Sequence, residues 1–373
     1  MTEETTMKHE PFEALHDTAR RDFASDNYAG MHPRVVEALA AANGGHQGAY
    51  GADDYTQRLQ EVVRGHFGDD AIAYPVFNGT GANVLALQSM LPRWGAVIAA
   101  TTAHIHVDEG GAPERTGGLK LLTVETEDGK LTPELINREA WGFGDEHRAQ
   151  AGVVSITQSS ELGTLYTPDE IAAIAEHSHR LGLKVHLDGA RLSNAAAALE
   201  VPLRAITTDA GVDAISLGGT KNGAMLAEAV VALTPEACAG LGFSRKFLMQ
   251  LTSKMRFVSA QLLALYDGEL WRENATQANA AARRLRAGIE AEQARGALGE
   301  VAFTQPTQVN AVFATLPADV ANRLRESYRF YDWDEARGEV RWMCSFDTRD
   351  EDVDAFVAAL VAASRRGGET GSA

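Results

Sequence analysis

Short apolar runs recur through the first two thirds of this chain, each followed by small residues and then by a helical pattern. Residues 119–124, 153–157, 185–188 and 214–217 are such runs, and residues 168–181 form the clearest helical pattern between two of them. Strands that alternate with helices tend to lie parallel, because each helix returns the chain to the edge where the next strand begins. The pattern predicts an α/β domain on a mainly parallel sheet, with ligands at the carboxyl ends of its strands. The texture changes near Tyr266. A long charged helix over 270–293 precedes short strands near 301–303, 311–315 and 340–344. A helix over 352–363 follows, with Val353, Phe356, Val357, Leu360 and Val361 on one face. At 373 residues the chain can bury more than one core. We expect an N-terminal arm (1–30, loose as far as residue 22), a large α/β domain (31–265) and a smaller α+β C-terminal domain (266–373). The final Gly-Gly-Glu-Thr-Gly-Ser-Ala is expected to be disordered.

The most informative turn is Ser216-Leu217-Gly218-Gly219-Thr220-Lys221, with small and apolar residues again from Asn222 to Ala227. A lysine in such a pocket loses hydration, which disfavours its ammonium and lowers its pKa. A lowered pKa is what an amine needs to attack a carbonyl and form a Schiff base. Alone, Lys221 could equally be a solvated lysine on a glycine-rich loop. Lys184-Val185-His186-Leu187-Asp188-Gly189-Ala190-Arg191 alters that balance. Asp188 precedes Lys221 by about one βαβ unit, so a parallel sheet brings both to one crevice. A lysine and an aspartate there suit pyridoxal phosphate (PLP): the amine forms the imine and the acid partners the pyridinium nitrogen. By itself Asp188 would read as a helix N-cap.

Residues 74–77 lead into Asn78-Gly79-Thr80-Gly81-Ala82-Asn83 and an apolar helix through Leu91. Bare amides at a helix start attract a phosphate, and Thr80 adds a hydroxyl. The turn approaches G-x-G-x-x-G, but Val84 stands at the third glycine and no acid lies about 20 residues on. A single-phosphate cup is therefore the better reading than a dinucleotide site. His104, after a strand over 97–100, could stack on a cofactor ring or move protons. His106, Asp108 and Glu109 raise the thought of a metal, but their spacing matches no ligand pattern, and none is assigned. Upstream, Pro33 opens a helix, a glycine-dense loop runs over 44–53, and residues 55–67 read as an amphipathic helix.

A net charge of −17 argues against nucleic acid or an anionic membrane surface as partner. Two cysteines, Cys238 and Cys344, are too few for a disulfide framework. The first ten residues lack the apolar core of a signal peptide, and no apolar run reaches the roughly 18 residues of a membrane span. A cytoplasmic protein acting on a small molecule is expected.

In order along the chain, Ser25-Asp26-Asn27, Tyr50-Gly51-Ala52-Asp53, Asn78 to Asn83, Ala103-His104, His186 to Arg191, Ser216 to Asn222 and Ser253-Lys254-Met255-Arg256 resemble the low-specificity L-threonine aldolases. These are PLP enzymes of the aspartate-aminotransferase fold (PLP-dependent transferase-like, fold type I) in the β-eliminating lyase group. The resemblance spans nearly everything from Phe23 to Leu360. It implies that Lys221 carries PLP, that Asp188 keeps the ring nitrogen protonated, that Gly79, Thr80 and Ser216 grip the phosphate, and that His104 lies over the ring. It implies further that Ser25, Arg191 and Arg341 hold the substrate carboxylate, with Arg191 also beside the cofactor. Tyr50 would reach a neighbouring subunit's site in a homo-oligomer, dimer or tetramer. The expected reaction turns L-threonine, L-allo-threonine or a related β-hydroxy-α-amino acid into glycine and an aldehyde. One position departs: where some members carry a histidine after the third strand, Gln158-Ser159-Ser160-Glu161-Leu162-Gly163 puts Glu161. The base is thus open between His104, Glu161 and a held water. A PLP β-eliminating lyase is the alternative within the fold. From other classes, a nucleotide-linked oxidoreductase is opposed by the incomplete glycine motif, and an idle binder by the presence of Lys221 and Asp188.

Overall fold

Seven strands form the main sheet of the structure, a computed structural model that describes residues 13–234, 237, 239–299 and 301–365. They are β1 (Ile72–Val76), β2 (Gly95–Ala100), β3 (Lys120–Val124), β4 (Gln150–Thr157), β5 (Lys184–Gly189), β6 (Ala214–Gly218) and β7 (Glu228–Ala232), in the order β1-β7-β6-β5-β4-β2-β3. From β6 to β3 every pairing is parallel, as the strand–helix alternation requires. Only β7 runs against its neighbours, β6 and β1. The sequence reading did not include β7. The connection over 219–227 is too short for a helical crossover, which takes about a dozen residues, so the chain must turn straight back. Strands β2, β6 and β7 are buried throughout, which is why they read as continuous apolar runs rather than alternating ones.

A second sheet, entirely antiparallel, follows: β8 (Ala302–Phe303), β9 (Ala311–Thr315), β10 (Tyr331–Asp334) and β11 (Glu339–Met343), in the order β10-β11-β9-β8. The long helix Leu270–Ala294 serves both halves. Its Leu270 and Trp271 pack into the core of the main sheet, whereas Ala281, Ala282, Leu285 and Ile289 pack with Val312, Trp342, Phe356 and Leu360. The change of texture near residue 266 therefore falls at the start of an element shared by two cores.

The N-terminal segment is docked from Phe23 onward. The Phe23 ring lies 4.4 Å from that of Phe356, its N–H donates to the Arg329 carbonyl, and its own carbonyl accepts from Met343 N–H. A buried aromatic ring anchors what the sequence alone left as part of an arm, and it fixes Ser25 and Asp26 next to β11. Expectations for residues 1–12, for Cys238 and for the final seven residues lie outside the described residues. Among the described residues no helix is long and apolar enough to cross a membrane.

Candidate active site

The carboxyl ends of β2, β4, β5 and β6 carry, in turn, His104, Glu161, Asp188 and Lys221. Lys221 sits in a single 3-10 turn, Thr220–Asn222, whose approach is closely packed. A side chain at Gly218 would meet the Ala190 carbonyl oxygen at 2.6 Å, and one at Gly219 would meet that of Ala227 at 2.5 Å, so only glycine fits. Glu228, at the head of β7, accepts from the N–H groups of Gly219 and Thr220 at 3.3 and 3.2 Å. Tyr266 donates its hydroxyl to the Gly218 carbonyl at 2.6 Å. The turn is thus held from both sides. Lys221 keeps part of its surface open, yet dense surrounding protein, and then the charge of Arg191, lower its pKa against the opposing pull of Asp26, Asp188 and Glu228. The ion pair of this region is Arg191–Asp26, and His104 is hydrogen-bonded to Glu109; among the described residues Lys221 belongs to neither.

Asp188 is buried with both oxygens engaged, Oδ1 by Ala190 N–H at 3.0 Å and Oδ2 by Asn83 Nδ2 at 2.8 Å. It does not cap the next helix, Leu192–Leu199, whose N-cap is Arg191. His104 opens a short helix after β2, with Nδ1 2.9 Å from Glu109 Oε1. Glu161 Oε1 accepts from His104 N–H at 2.8 Å and from Thr157 Oγ1 at 2.9 Å. Burial, and then the charge of Asp188, push the Glu161 carboxyl up to about 7. His106 and Asp108 are exposed whereas Glu109 is buried, so the three diverge; the described residues contain no group of His, Cys, Asp or Glu that could hold a metal ion.

From the end of β5, Arg191 forks onto Asp26 of the N-terminal segment through Nε (2.7 Å) and Nη2 (3.0 Å), and Asn310 Nδ2 adds a third contact to Asp26 at 3.1 Å. Burial opposes the charge on Asp26, but the charge and hydrogen bonds of Arg191 outweigh it and hold the carboxyl below its usual value. Arg341, on β11, has no ion pair among the described residues. Its guanidinium lies 5.9 Å from the Tyr331 ring and 5.1 Å from that of Trp333, and its buried Nε has no hydrogen-bond partner among the described residues. Burial, followed by the charge of Arg191, lowers its pKa to about 10. Ser25 is half-buried, its Oγ accepting from Asn27 N–H at 3.2 Å.

A family model described as beta-eliminating lyase matches residues 22–318. The chain belongs to the beta-eliminating lyase family. Within it, the low-specificity L-threonine aldolase of a Pseudomonas species is 39% identical over 91% of this chain and 97% of its own length. A Leishmania major threonine aldolase structure superimposes with a TM-score of 0.84 at 28% identity, covering 91% of this chain and 98% of that one. Aspartate aminotransferase from Thermus thermophilus, at 14% identity, a TM-score of 0.64 and 92% coverage of each chain, shares the fold. The expected fold class and the resemblance to low-specificity L-threonine aldolases are both upheld, and the chain is a lyase.

Of the residues singled out in the sequence, six come together in this lyase: the charge of Asp188 reaches His104 and Glu161, and that of Arg191 reaches Lys221 and Arg341. Ser216 and Tyr50 sit differently. Ser216 Oγ lies 3.0 Å from Nε2 of buried His186, whose Nδ1 is 2.9 Å from Ser155 Oγ, so its hydroxyl faces the sheet interior. Burial drives His186 down to about 4, which keeps this link neutral. Tyr50 is 51% exposed, with Lys246 over its ring at 5.2 Å. Gly79 and Thr80 begin the helix Gly79–Met90, where the Asn78 cap takes only Gly81 N–H (2.6 Å), leaving the first two amides without partners among the described residues. The sequence reading missed Asn83, Glu109 and Glu228 as site residues and named Asp26 only within a motif. An acid heading an apolar run, as in Glu228-Ala229-Val230-Val231-Ala232, was the one available signal.

Proposed function

We propose that this chain binds PLP and cleaves L-threonine, L-allo-threonine or a related β-hydroxy-α-amino acid to glycine and an aldehyde. The observation that carries the reading is a desolvated Lys221 beside a fully hydrogen-bonded Asp188, in a cleft that also holds Arg341; neither Lys221 nor Arg341 has an ion pair among the described residues.

The residues fit the cofactor. The bare amides of Gly79 and Thr80 suit a phosphate. Ser216, its hydroxyl already on His186, contributes less than the sequence implied. Asp188 retains acceptor capacity for a ring N–H, and Ala190 and Asn83 fix its orientation. When bound, PLP supplies an electron sink for bond cleavage at the substrate α-carbon. Lys221 Nζ is the covalent anchor, and its lowered pKa supplies the free amine this needs. Asp188 holds a proton at the ring nitrogen. His104 would serve as the neighbour of the ring, with Nδ1 on Glu109 and its other nitrogen open. Arg341 and Ser25, with those N–H groups of Arg191 that Asp26 does not use, hold the substrate carboxylate; a planar fork matches that anion. Glu161 or His104 takes the β-hydroxyl proton. The exposed Tyr50 completes the site of a neighbouring copy, which makes the enzyme a homo-oligomer, dimer or tetramer, of the cytoplasm.

The purified protein should be yellow, and borohydride should fix the colour to Lys221. Lys221→Ala should bind PLP reversibly and lose at least about 10⁴-fold in turnover. With L-allo-threonine the products should be glycine and acetaldehyde. Ammonia and a keto acid would instead place the chain with β-eliminating members of its family. A wild type that stays colourless with added PLP would end the reading.

A further inference from the structure

His104, Glu109, Asn83 and Asp188 form one hydrogen-bonded chain. Glu109 lies five positions beyond His104, yet its side chain is fully buried while that of His104 is 37% exposed. The acid therefore reaches the imidazole from inside the protein, taking Nδ1 at 2.9 Å and leaving Nε2 as the ring's open nitrogen. Asn83 Nδ2 stands 2.8 Å from Glu109 Oε1 and 2.8 Å from Asp188 Oδ2. An amide that gives a hydrogen to each of two buried carboxylates is a neutral way to hold acids that would otherwise repel. The arrangement is costly elsewhere: Asn83 Oδ1 and Glu109 Oε2 are buried without partners among the described residues. Buried orphans of this kind persist where the geometry serves something besides stability. Glu161, meanwhile, holds the backbone N–H of the same histidine. His104 is thus fixed by one acid at its backbone and by another at its ring.

We infer that Glu109 is a positioning residue that sets the tautomer of His104, with hydrogen on Nδ1 and a lone pair on Nε2 toward the cleft, and that Asn83 ties this pair to Asp188. The inference rests on the reading above, in which His104 faces the cofactor. When Nε2 takes the β-hydroxyl proton, the O–H pair stays on oxygen to form the aldehyde carbonyl. The pair of the breaking Cα–Cβ bond passes to the Cα side. The imidazolium so formed has its charge balanced by Glu109. The groups facing this imidazole are Glu109 from its own segment, Asp188 from β5 and Lys221 from the turn after β6; the hydrogen bond to Glu109 raises its pKa most, against burial and Lys221.

The test is a histidine-labelled NMR titration of the full-length protein, with the His104 signals assigned by their loss in His104→Ala. In the wild type the neutral ring should carry its proton on Nδ1. In Glu109→Gln, which keeps the size and an acceptor oxygen but removes the charge, the imidazole should titrate lower by roughly one pH unit or more. Asn83→Ala, which removes a hydrogen bond from Glu109 and concentrates its charge on His104, should shift it the other way. On L-allo-threonine the low-pH limb of kcat in Glu109→Gln should move with the imidazole, with KM within about twofold. A wild-type ring protonated on Nε2, or a His104 titration unmoved in Glu109→Gln, overturns the inference. The titration is read without substrate, so a chain with this signature and no aldolase activity would fail the proposed function and leave the pairing standing.

Discussion

Two faces of one cleft follow opposite electrostatic plans. The strand ends of the main sheet present acids bound by shared donors: Glu109 and Asp188 by Asn83, Glu161 by His104 and Thr157, Glu228 by Gly219 and Thr220. Burial leaves Glu161 at about 7 and Glu228 at about 6. The N-terminal segment and β11 answer them with Asp26, which holds Arg191 from the end of β5, and with the guanidinium of Arg341, which has no ion pair among the described residues. Carboxyl groups poised near neutrality can hold or pass a proton, whereas arginine stays charged and can only bind an anion. Proton handling and anion binding are therefore separated across the cleft, and each can be damaged without the other.

After the loss of Lys221 itself, the largest effect should come from the acidic face. Asp188→Asn cannot stabilise a protonated ring nitrogen, so kcat should fall on the order of 10² to 10³-fold, as when a charge partner of the transition state is removed. PLP should still bind, because the amides of Gly79 and Thr80 are untouched. Turnover within a few-fold of wild type would show that Asp188 does not touch the ring and that the two faces are not divided as described.

The arginines should separate binding from stability. Arg341→Gln removes a buried cation without an ion-pair partner, so the carboxylate affinity should drop by about tenfold to a hundredfold in KM with little loss of thermal stability. Arg191→Gln strands Asp26, whose side chain is 1% exposed, and should cost roughly 3–5 kcal/mol of folding stability in addition to any loss of substrate binding. Equal denaturation midpoints for the two variants would mean that the Arg191–Asp26 pair is not the structural element it is taken for.

What could be read without coordinates follows the same division. A strand ending at a small-residue turn places its next residue at the sheet's carboxyl edge, so Lys221, Asp188 and His104 followed from local pattern, whereas Glu161 came only through the family resemblance. Which group faces that residue depends on side chains from other elements. Asn83 meets Glu109 and Asp188 only because the helix Gly79–Met90 crosses the sheet at that point, and no periodicity encodes that crossing. Strand β7 was hidden because it reverses direction inside a parallel pattern, and Glu228 was hidden with it. Ser216 lay in a legible strand, but its hydroxyl turns to His186, a choice set by what lies beside it. Phe23 shows the reverse error, an apparent arm residue drawn into a core by its own ring.

A smaller effect concerns pH. Glu161 titrates near 7 in the fold against an ordinary 4.5, so between those values the native state binds more protons than the unfolded chain. Stability should then fall as pH rises from about 4.5 to about 7, by ~3 kcal/mol at most from this group. Glu228 adds a drop of the same sign from about 4.5 to about 6. Glu161→Gln should flatten the part between 6 and 7 and roughly halve the slope below 6, where Glu228 still contributes. Urea midpoints at pH 5, 6 and 7.5 for both proteins measure this. Parallel curves would show that the carboxyl is not desolvated by the fold.

The smallest effect is a stereochemical preference at Cβ, and it joins the two faces. Anchoring the carboxylate on Arg341 and Ser25 while Lys221 marks the reacting carbon fixes Cα, and a D substrate would place its Cβ where the hydrogen belongs. D-threonine and D-allo-threonine should therefore be inert. Rotation about Cα–Cβ remains available, so either L diastereomer can aim its hydroxyl at one acceptor, His104 Nε2. The two then differ only in whether the methyl group or the hydrogen takes each remaining position. Placing one methyl group better or worse is worth about 1 kcal/mol, or roughly fivefold to tenfold in rate. Both L-threonine and L-allo-threonine should give glycine and acetaldehyde within that ratio. In His104→Ala the two rates should fall together and the ratio should stay nearly unchanged, because both hydroxyls have lost the same partner. If His104→Ala silences one diastereomer and spares the other, the proton has two acceptors, and Glu161 takes the second.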